Sequence, residues 1–243
     1  MGAPGCDDAP LIEVPLGNAP KAFTLILPYY ENPAFLRQQL AYWNDFGPSM
    51  FEVIIVDDGS PEYPAEPIIR ASKQAYLRHF RIDVDVRWNW LAARNIGAYH
   101  ARTQWIMLTD MDHVLPATTL ETLIFGQHDP EIIYRFSRTG AKTHPHPNSW
   151  FMTKAMFWKI GGYDERMSGY YGSDGYYRRR CADTAPIRIM TVPLELHEHE
   201  GDASTTRYKR KQIEDAKLRP LVRKFPKNSK PKVLSFPYHE IHL

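Results

Sequence analysis

The chain has 243 residues, is 43% hydrophobic and 24% charged, and carries a formal net charge of +2. That composition suits one α/β domain with a sizeable core and excludes a chain disordered throughout. Its two cysteines, Cys6 and Cys181, lie far apart in no metal-like spacing, which excludes a disulfide framework and fits a reducing compartment.

Met1 to Pro20 holds Asp7, Asp8 and Glu13 and no long apolar run, so neither a signal peptide nor an anchor is expected there. No later stretch approaches the roughly 20 apolar residues that cross a bilayer. A soluble, cytoplasmic protein is the expectation. Phe23 to Pro28 is a nearly continuous apolar run, which predicts a strand buried on both faces. Prolines 28 and 33 end it, and a helix is predicted from Ala34 to about Asp45. A second buried strand, Phe51 to Val56, runs into Asp57-Asp58-Gly59-Ser60. A helix follows at Pro67 to Leu77, a third strand at Arg81 to Val86, and a helix at Trp90 to Arg102. Trp105 to Leu108 reads as the fourth strand and leads into Asp110-Met111-Asp112.

This alternation predicts a Rossmann-like, mostly parallel sheet flanked by helices. Ligands of such sheets sit beyond the carboxyl ends of the strands, where Asp57, Asp58, Asp110 and Asp112 all fall. The second half is less regular. Thr143 to Asn148 reads as a loop, Thr153 as the cap of a short helix ending at Gly161-Gly162, and Tyr176 to Cys181 as a helix. Ile187 to Met190 and Val192 to His197 read as strands, Thr205 to Lys224 as a basic helix, and a proline-bearing tail closes the chain. Three divisions result: an N-terminal extension, 1–20; a central α/β domain, 21–202; and a basic helical extension, 203–243.

Asp110-Met111-Asp112 sets two carboxylates directly after a hydrophobic strand. A hard divalent cation such as Mg²⁺ or Mn²⁺ takes oxygen ligands and shares them with substrate phosphates. The pair alone is unspecific, because acids two apart are common in surface loops. Its company is more informative. Pro28-Tyr29-Tyr30-Glu31-Asn32, Val56-Asp57-Asp58-Gly59-Ser60, Ala93-Arg94-Asn95-Ile96-Gly97, Leu108-Thr109-Asp110-Met111-Asp112 and Gly161-Gly162-Tyr163-Asp164-Glu165 occur in order. With Gly172-Ser173-Asp174, the series resembles the family 2 glycosyltransferases of GT-A fold across roughly residues 22–200.

The resemblance implies an inverting, metal-dependent transfer of a sugar from a nucleotide-sugar, a UDP-sugar by expectation, to a hydroxyl acceptor. It would make 21–202 the catalytic domain, with a nucleotide-sugar half (21–115) and an acceptor half (116–202). Pro28 and Tyr30 would flank the base, and Asp58 or Asp57 would accept from the uracil imide. Arg94 would approach the diphosphate or sugar, with Asn95 and Gly97 allowing close packing of its helix. Asp112 would be the metal ligand, and Asp110 would reach the ribose or a metal-bound water. Asp174 would be the general base that deprotonates the acceptor. Ser173 stands where relatives often carry a glutamate that contacts the acceptor, which leaves the acceptor open.

The alternation of Val192, Leu194 and Leu196 puts Glu195, His197 and His199 on one face. By resemblance, one of the two histidines completes the shell of a Mn²⁺ or Mg²⁺ ion, without a choice between them. His113, His144 and His146 are read as structural. Trp88, Trp90, Trp150 and Tyr170, Tyr171, Tyr176 and Tyr177 are candidates for an aromatic acceptor wall. Basic side chains crowd Ala203 to Lys232, opposed there by Glu214 and Asp215 alone. They fit a solvated face, or attraction to a polyanion. Three functions are therefore carried: transfer to a glycan or lipid-linked saccharide, transfer to DNA bearing a hydroxymethylated base, or a non-catalytic module binding nucleotide-sugar or nucleic acid.

Overall fold

The computed structural model describes residues 21–43, 50–72, 76–86, 88–139, 144–170, 172–196 and 229–243. Phe23–Tyr29 (β1), Glu52–Asp57 (β2) and Trp105–Leu108 (β4) form where the apolar runs predict. Alternation along β1 divides the core. Leu25 and Leu27 face the cluster that takes in Phe35, Leu36 and Leu40 of Pro33–Trp43 (α1), whereas Ile26 faces the opposite side of the sheet. With both faces covered, β1 has no solvent-facing row, which is why its sequence shows no polar alternation.

Nine strands of the described residues form one mixed sheet, in the order His113–Val114 (β5), Ile187–Leu196 (β8), Ile133–Thr139 (β6), Trp150–Thr153 (β7), β4, β1, β2, Leu77–Ile82 (β3) and Tyr238–Ile241 (β9). Strands β4, β1, β2 and Leu77–Ile82 (β3) are mutually parallel. Chain order runs outward from β1 to β3 on one side and jumps to β4 on the other. The crevice opened by such a reversal lies beyond the carboxyl ends of β1 and β4. Between them in sequence lie α1, Glu66–Ser72 (α2) and Trp90–His100 (α3). Gly97 lets α3 lie against β1: a Cβ there would come within 2.3 Å of Ile26 Cγ2.

After β4 come His113–Val114 (β5), Ala117–Phe125 (α4), Ile133–Thr139 (β6), Trp150–Thr153 (β7), Lys154–Ile160 (α5), Asp174–Thr184 (α6) and Ile187–Leu196 (β8). The Thr153 hydroxyl caps α5 by accepting from Met156 N, and Gly161 ends it at φ 95°, as its sequence predicts.

Several expectations are corrected. The third strand occupies Leu77–Ile82 rather than Arg81 to Val86, so Leu77 belongs to that strand and not to the helix before it. Its arginines break the apolar signal but have partners: Arg78 pairs with Glu240 at 2.8 Å and Arg81 with Asp57 at 3.2 Å. The two strands expected between Ile187 and His197 are one strand, and α6 begins at Asp174. The closing tail contains Tyr238–Ile241 (β9), which pairs antiparallel with β3 and covers that edge. Glu165 anchors the approach to it, its carboxylate accepting from Leu234 N, Ser235 N and the Ser235 hydroxyl at 2.6–2.7 Å. The predicted helix at Thr205 to Lys224 lies outside the described residues.

Candidate active site

The parallel register sets Tyr29 beside Asp57, and Ile26 beside Leu108, so the loops after β1, β2 and β4 emerge together. The turn after β2 settles which aspartate is open. Asp57 is fully buried and spent: Oδ1 accepts from Ser60 N at 2.8 Å, and Oδ2 from Ala65 N at 2.9 Å and from Arg81. It holds the turn together. Asp58 is 3% exposed, and its Oδ1 has no partner among the described residues. Burial first, then the Asp57 charge, push its carboxyl well above the usual range, opposed by the Asn89 backbone N–H. An acceptor so placed is costly unless something donates to it. Gly59 turns the chain at φ 75°, where a Cβ would meet Val84 O at 2.3 Å.

Two residues hold the loop after β1 against this turn. The Glu31 backbone N–H donates to the Ser60 hydroxyl at 3.0 Å, and its side chain accepts from Glu62 N and Tyr63 N. Tyr30 donates its hydroxyl to Asp85 Oδ1 at 3.0 Å, which fixes its ring at the rim. Pro28, the register partner of Val56, sits half-buried beneath.

Asp110 to His113 form a tight turn between β4 and β5, closed by His113 N donating to Asp110 O at 3.1 Å. Gln39 of α1 holds the same turn from behind, donating to Met111 O at 3.0 Å and to His113 O at 2.8 Å. Each carboxylate then has its own brace. Asp110 Oδ1 accepts from Arg94 Nη2 at 2.5 Å, and Oδ2 lies 3.3 Å from His146 Nε2. Burial pushes its carboxyl up, but the Arg94 guanidinium, foremost among its partners, helps to hold it below the usual range. Asp112 Oδ1 lies 2.6 Å from His113 Nδ1, and its side chain is 36% exposed.

Arg94, expected at the diphosphate or sugar, is fully buried. Its guanidinium is taken up by Asp110, Asn148 O and the Tyr163 hydroxyl and packs over Trp90. It meets the site through Asp110. Asn95 joins α3 to the Gly161–Glu165 loop through Tyr163 and Glu165.

His113 and His146, read as structural from sequence, lie at the centre. Their rings stack at 4.0 Å and 27°, each against one carboxylate of the turn. Burial, ahead of the opposing Asp110 charge, lowers His146 to about 3, so its ring is neutral. Its Nδ1 is hydrogen-bonded to the Ser149 hydroxyl at 2.8 Å. Gln39 had a readable signal, a polar residue on the apolar face of an amphipathic helix. His146 had none, because its partner is distant in sequence.

Asp174 opens α6, half-buried, and among the described residues no donor holds its carboxylate. The preceding Ser173 is 2% exposed, with an unpartnered hydroxyl. Trp150 and Tyr177 are core side chains, which removes them from an acceptor wall. His197 and His199 lie outside the described residues. The strand leading to them ends with Leu196 registered opposite His113, next to Asp112. Among the described residues, no group of three or more histidine, cysteine or acidic side chains is arranged to hold one metal ion. Two adjacent carboxylates nevertheless suit a hard divalent ion, which commonly takes one or two from the protein and the rest from phosphates and water.

A family model described as Glycosyl transferase family 2 matches residues 24–181, more than half of the chain. The chain belongs to glycosyl transferase family 2. S. aureus TarS 1–349 in complex with UDP-GlcNAc is similar to this family 2 chain, with a TM-score of 0.60 and 15% identity. That match covers 76% of this chain and 60% of that one, so the chain spans well under two thirds of TarS 1–349. Mannosyltransferase PcManGT from Pyrobaculum calidifontis, in complex with GDP-Man and Mn²⁺, is similar with a TM-score of 0.59 and 15% identity. It covers 89% of this chain and 69% of its own. These likenesses show the fold, which is GT-A. No curated protein matches the chain. Among the described residues, no helix of the family 2 chain is long and apolar enough to cross a membrane.

Proposed function

We propose that the protein is an inverting, metal-dependent glycosyltransferase that uses a UDP-sugar. The observation that carries this reading is the pairing of an unpartnered buried acceptor, Asp58 Oδ1, with the Asp110–Asp112 turn at the same edge of the sheet. Strands β2 and β4 flank β1, so the two features stand about two strand spacings apart, roughly 10 Å. A nucleoside diphosphate is long enough to join them. Uracil offers the single imide N–H that one free carboxylate oxygen can accept. Tyr30 and Pro28 supply the surface beside it.

Asp112 would hold a Mn²⁺ or Mg²⁺ ion, with Asp110 beside it and His197 or His199 as a further candidate ligand. When bound, such an ion neutralises charge on the departing diphosphate. Asp174 takes the proton from the acceptor hydroxyl while that oxygen bonds to the anomeric carbon and the carbon–phosphate oxygen bond breaks, which inverts the centre. The expected acceptor is a glycan or lipid-linked saccharide.

The test is release of nucleotide from a panel of nucleotide-sugars with Mn²⁺, for the wild type and Asp112→Ala. Turnover with UDP-sugars that Asp112→Ala abolishes supports the assignment. Full metal-dependent turnover in that variant refutes it.

A further inference from the structure

We propose that His113 and His146 are positioning residues, a stacked pair that locks the two carboxylates of the Asp110–Asp112 turn in the orientation that receives metal and diphosphate. The inference rests on the metal-dependent reading above and adds to it how the carboxylates are held before any ligand arrives. An aspartate on an exposed turn rotates freely and must be ordered on binding, at a cost in affinity. Here neither is free. His113 Nδ1 is 2.6 Å from Asp112, His146 Nε2 is 3.3 Å from Asp110, and the rings lie 4.0 Å apart, so neither carboxylate brace moves without the other.

The pair is itself held. The Ser149 hydroxyl sits 2.8 Å from His146 Nδ1 and 2.8 Å from the Thr109 hydroxyl, and all three side chains are buried. Ser149 therefore bridges the His146 ring to Thr109 in one buried row. The loop carrying His146 is tied to β6 from outside. Arg135 donates to His146 O at 2.7 Å, and Arg138 to His144 O at 2.9 Å. The pairing of β6 with β8 shifts register between Phe136 and Arg138. Histidines that merely filled a core would not each face one of two adjacent carboxylates. Outer partners of metal-binding groups tune affinity by orienting them.

The experiment measures Mn²⁺ affinity by electron paramagnetic resonance, with and without UDP, alongside kcat, KM and thermal stability. His146→Phe and His113→Phe keep the stacked volume and lose the nitrogen. His146→Gln keeps an N–H donor, and Ser149→Ala removes the hydroxyl behind His146. Folded Phe variants should bind Mn²⁺ roughly 10- to 100-fold more weakly, with kcat falling further than KM rises. His146→Gln should recover most of the loss, and Ser149→Ala should lie between. Wild-type Mn²⁺ binding matched within twofold by every folded variant overturns the clamp alone. A wild type that binds no Mn²⁺ overturns the metal reading and the clamp with it.

Discussion

Replacing Asp58 by Asn should weaken UDP binding while making the ligand-free protein more stable. The carboxylate is 3% exposed, has one oxygen without a donor, and lies beside the buried charge of Asp57. A buried unsatisfied group costs about 1–3 kcal/mol. The amide removes the charge yet keeps unmet needs of its own, so a gain of about 1 kcal/mol is expected, or a rise in Tm of roughly 2–4 °C. Above its raised folded value, where Asp58 is ionised, a hydrogen bond to a charged group contributes about 1.5–3 kcal/mol, so UDP should there bind roughly 10- to 150-fold more weakly.

The pH dependence has a definite sign. The Asp58 carboxyl is raised on folding, so the folded protein keeps a proton that the unfolded chain releases near its ordinary value. Wild-type stability therefore falls as pH climbs from that value through the folded one, and Asp58→Asn lacks this component. Differential scanning fluorimetry across pH and calorimetric titration with UDP read both effects. A variant with unchanged UDP affinity and unchanged Tm would refute the reasoning, since Asp58 would then be neither costly nor in contact with the base.

Asp174→Asn should bind the donor normally and transfer roughly 100-fold or more slowly; near-normal single-turnover rates would remove Asp174 from the base role. His79 is fully buried, neither ring nitrogen has a hydrogen-bond partner among the described residues, and burial lowers it to about 4. The unfolded chain thus binds a proton that the folded one refuses, and stability should fall as pH drops from about 6.5 toward 4, by up to about 3 kcal/mol. His79→Leu should flatten that slope in urea titrations between pH 7 and 4; an unchanged slope would mean another group sets it.

The sheet was legible where burial on both faces leaves an uninterrupted apolar run, as in β1, β2 and β4. It was obscured where polar side chains are satisfied by distant partners. Arg78 in β3 meets Glu240 of β9, and neither segment reads as a strand without the other. Local chemistry also showed through: the hydroxyl of Thr153 and the freedom of Gly161 mark both ends of α5.

At the site, the motifs located the loops but not the division of work within them. Asp57 and Asp58 are equivalent in sequence and differ because Ser60, Ala65 and Arg81 reach only the first. Arg94 looks like a phosphate ligand until its burial against Asp110, Asn148 and Tyr163 is seen. The braces from Gln39 and His146 depend on contacts between segments remote in sequence, which no local pattern encodes.

The most direct test of the central proposal is Mn²⁺-dependent transfer from UDP-sugars, scored by UDP release and product analysis. The acceptor arms are glycans, lipid-linked saccharides and hydroxymethylated DNA. Metal-dependent turnover of a UDP-sugar, with an inverted anomeric centre and loss in Asp112→Ala, is the expected result. Tight UDP binding without turnover on any acceptor, or turnover indifferent to metal and to Asp112, would contradict it.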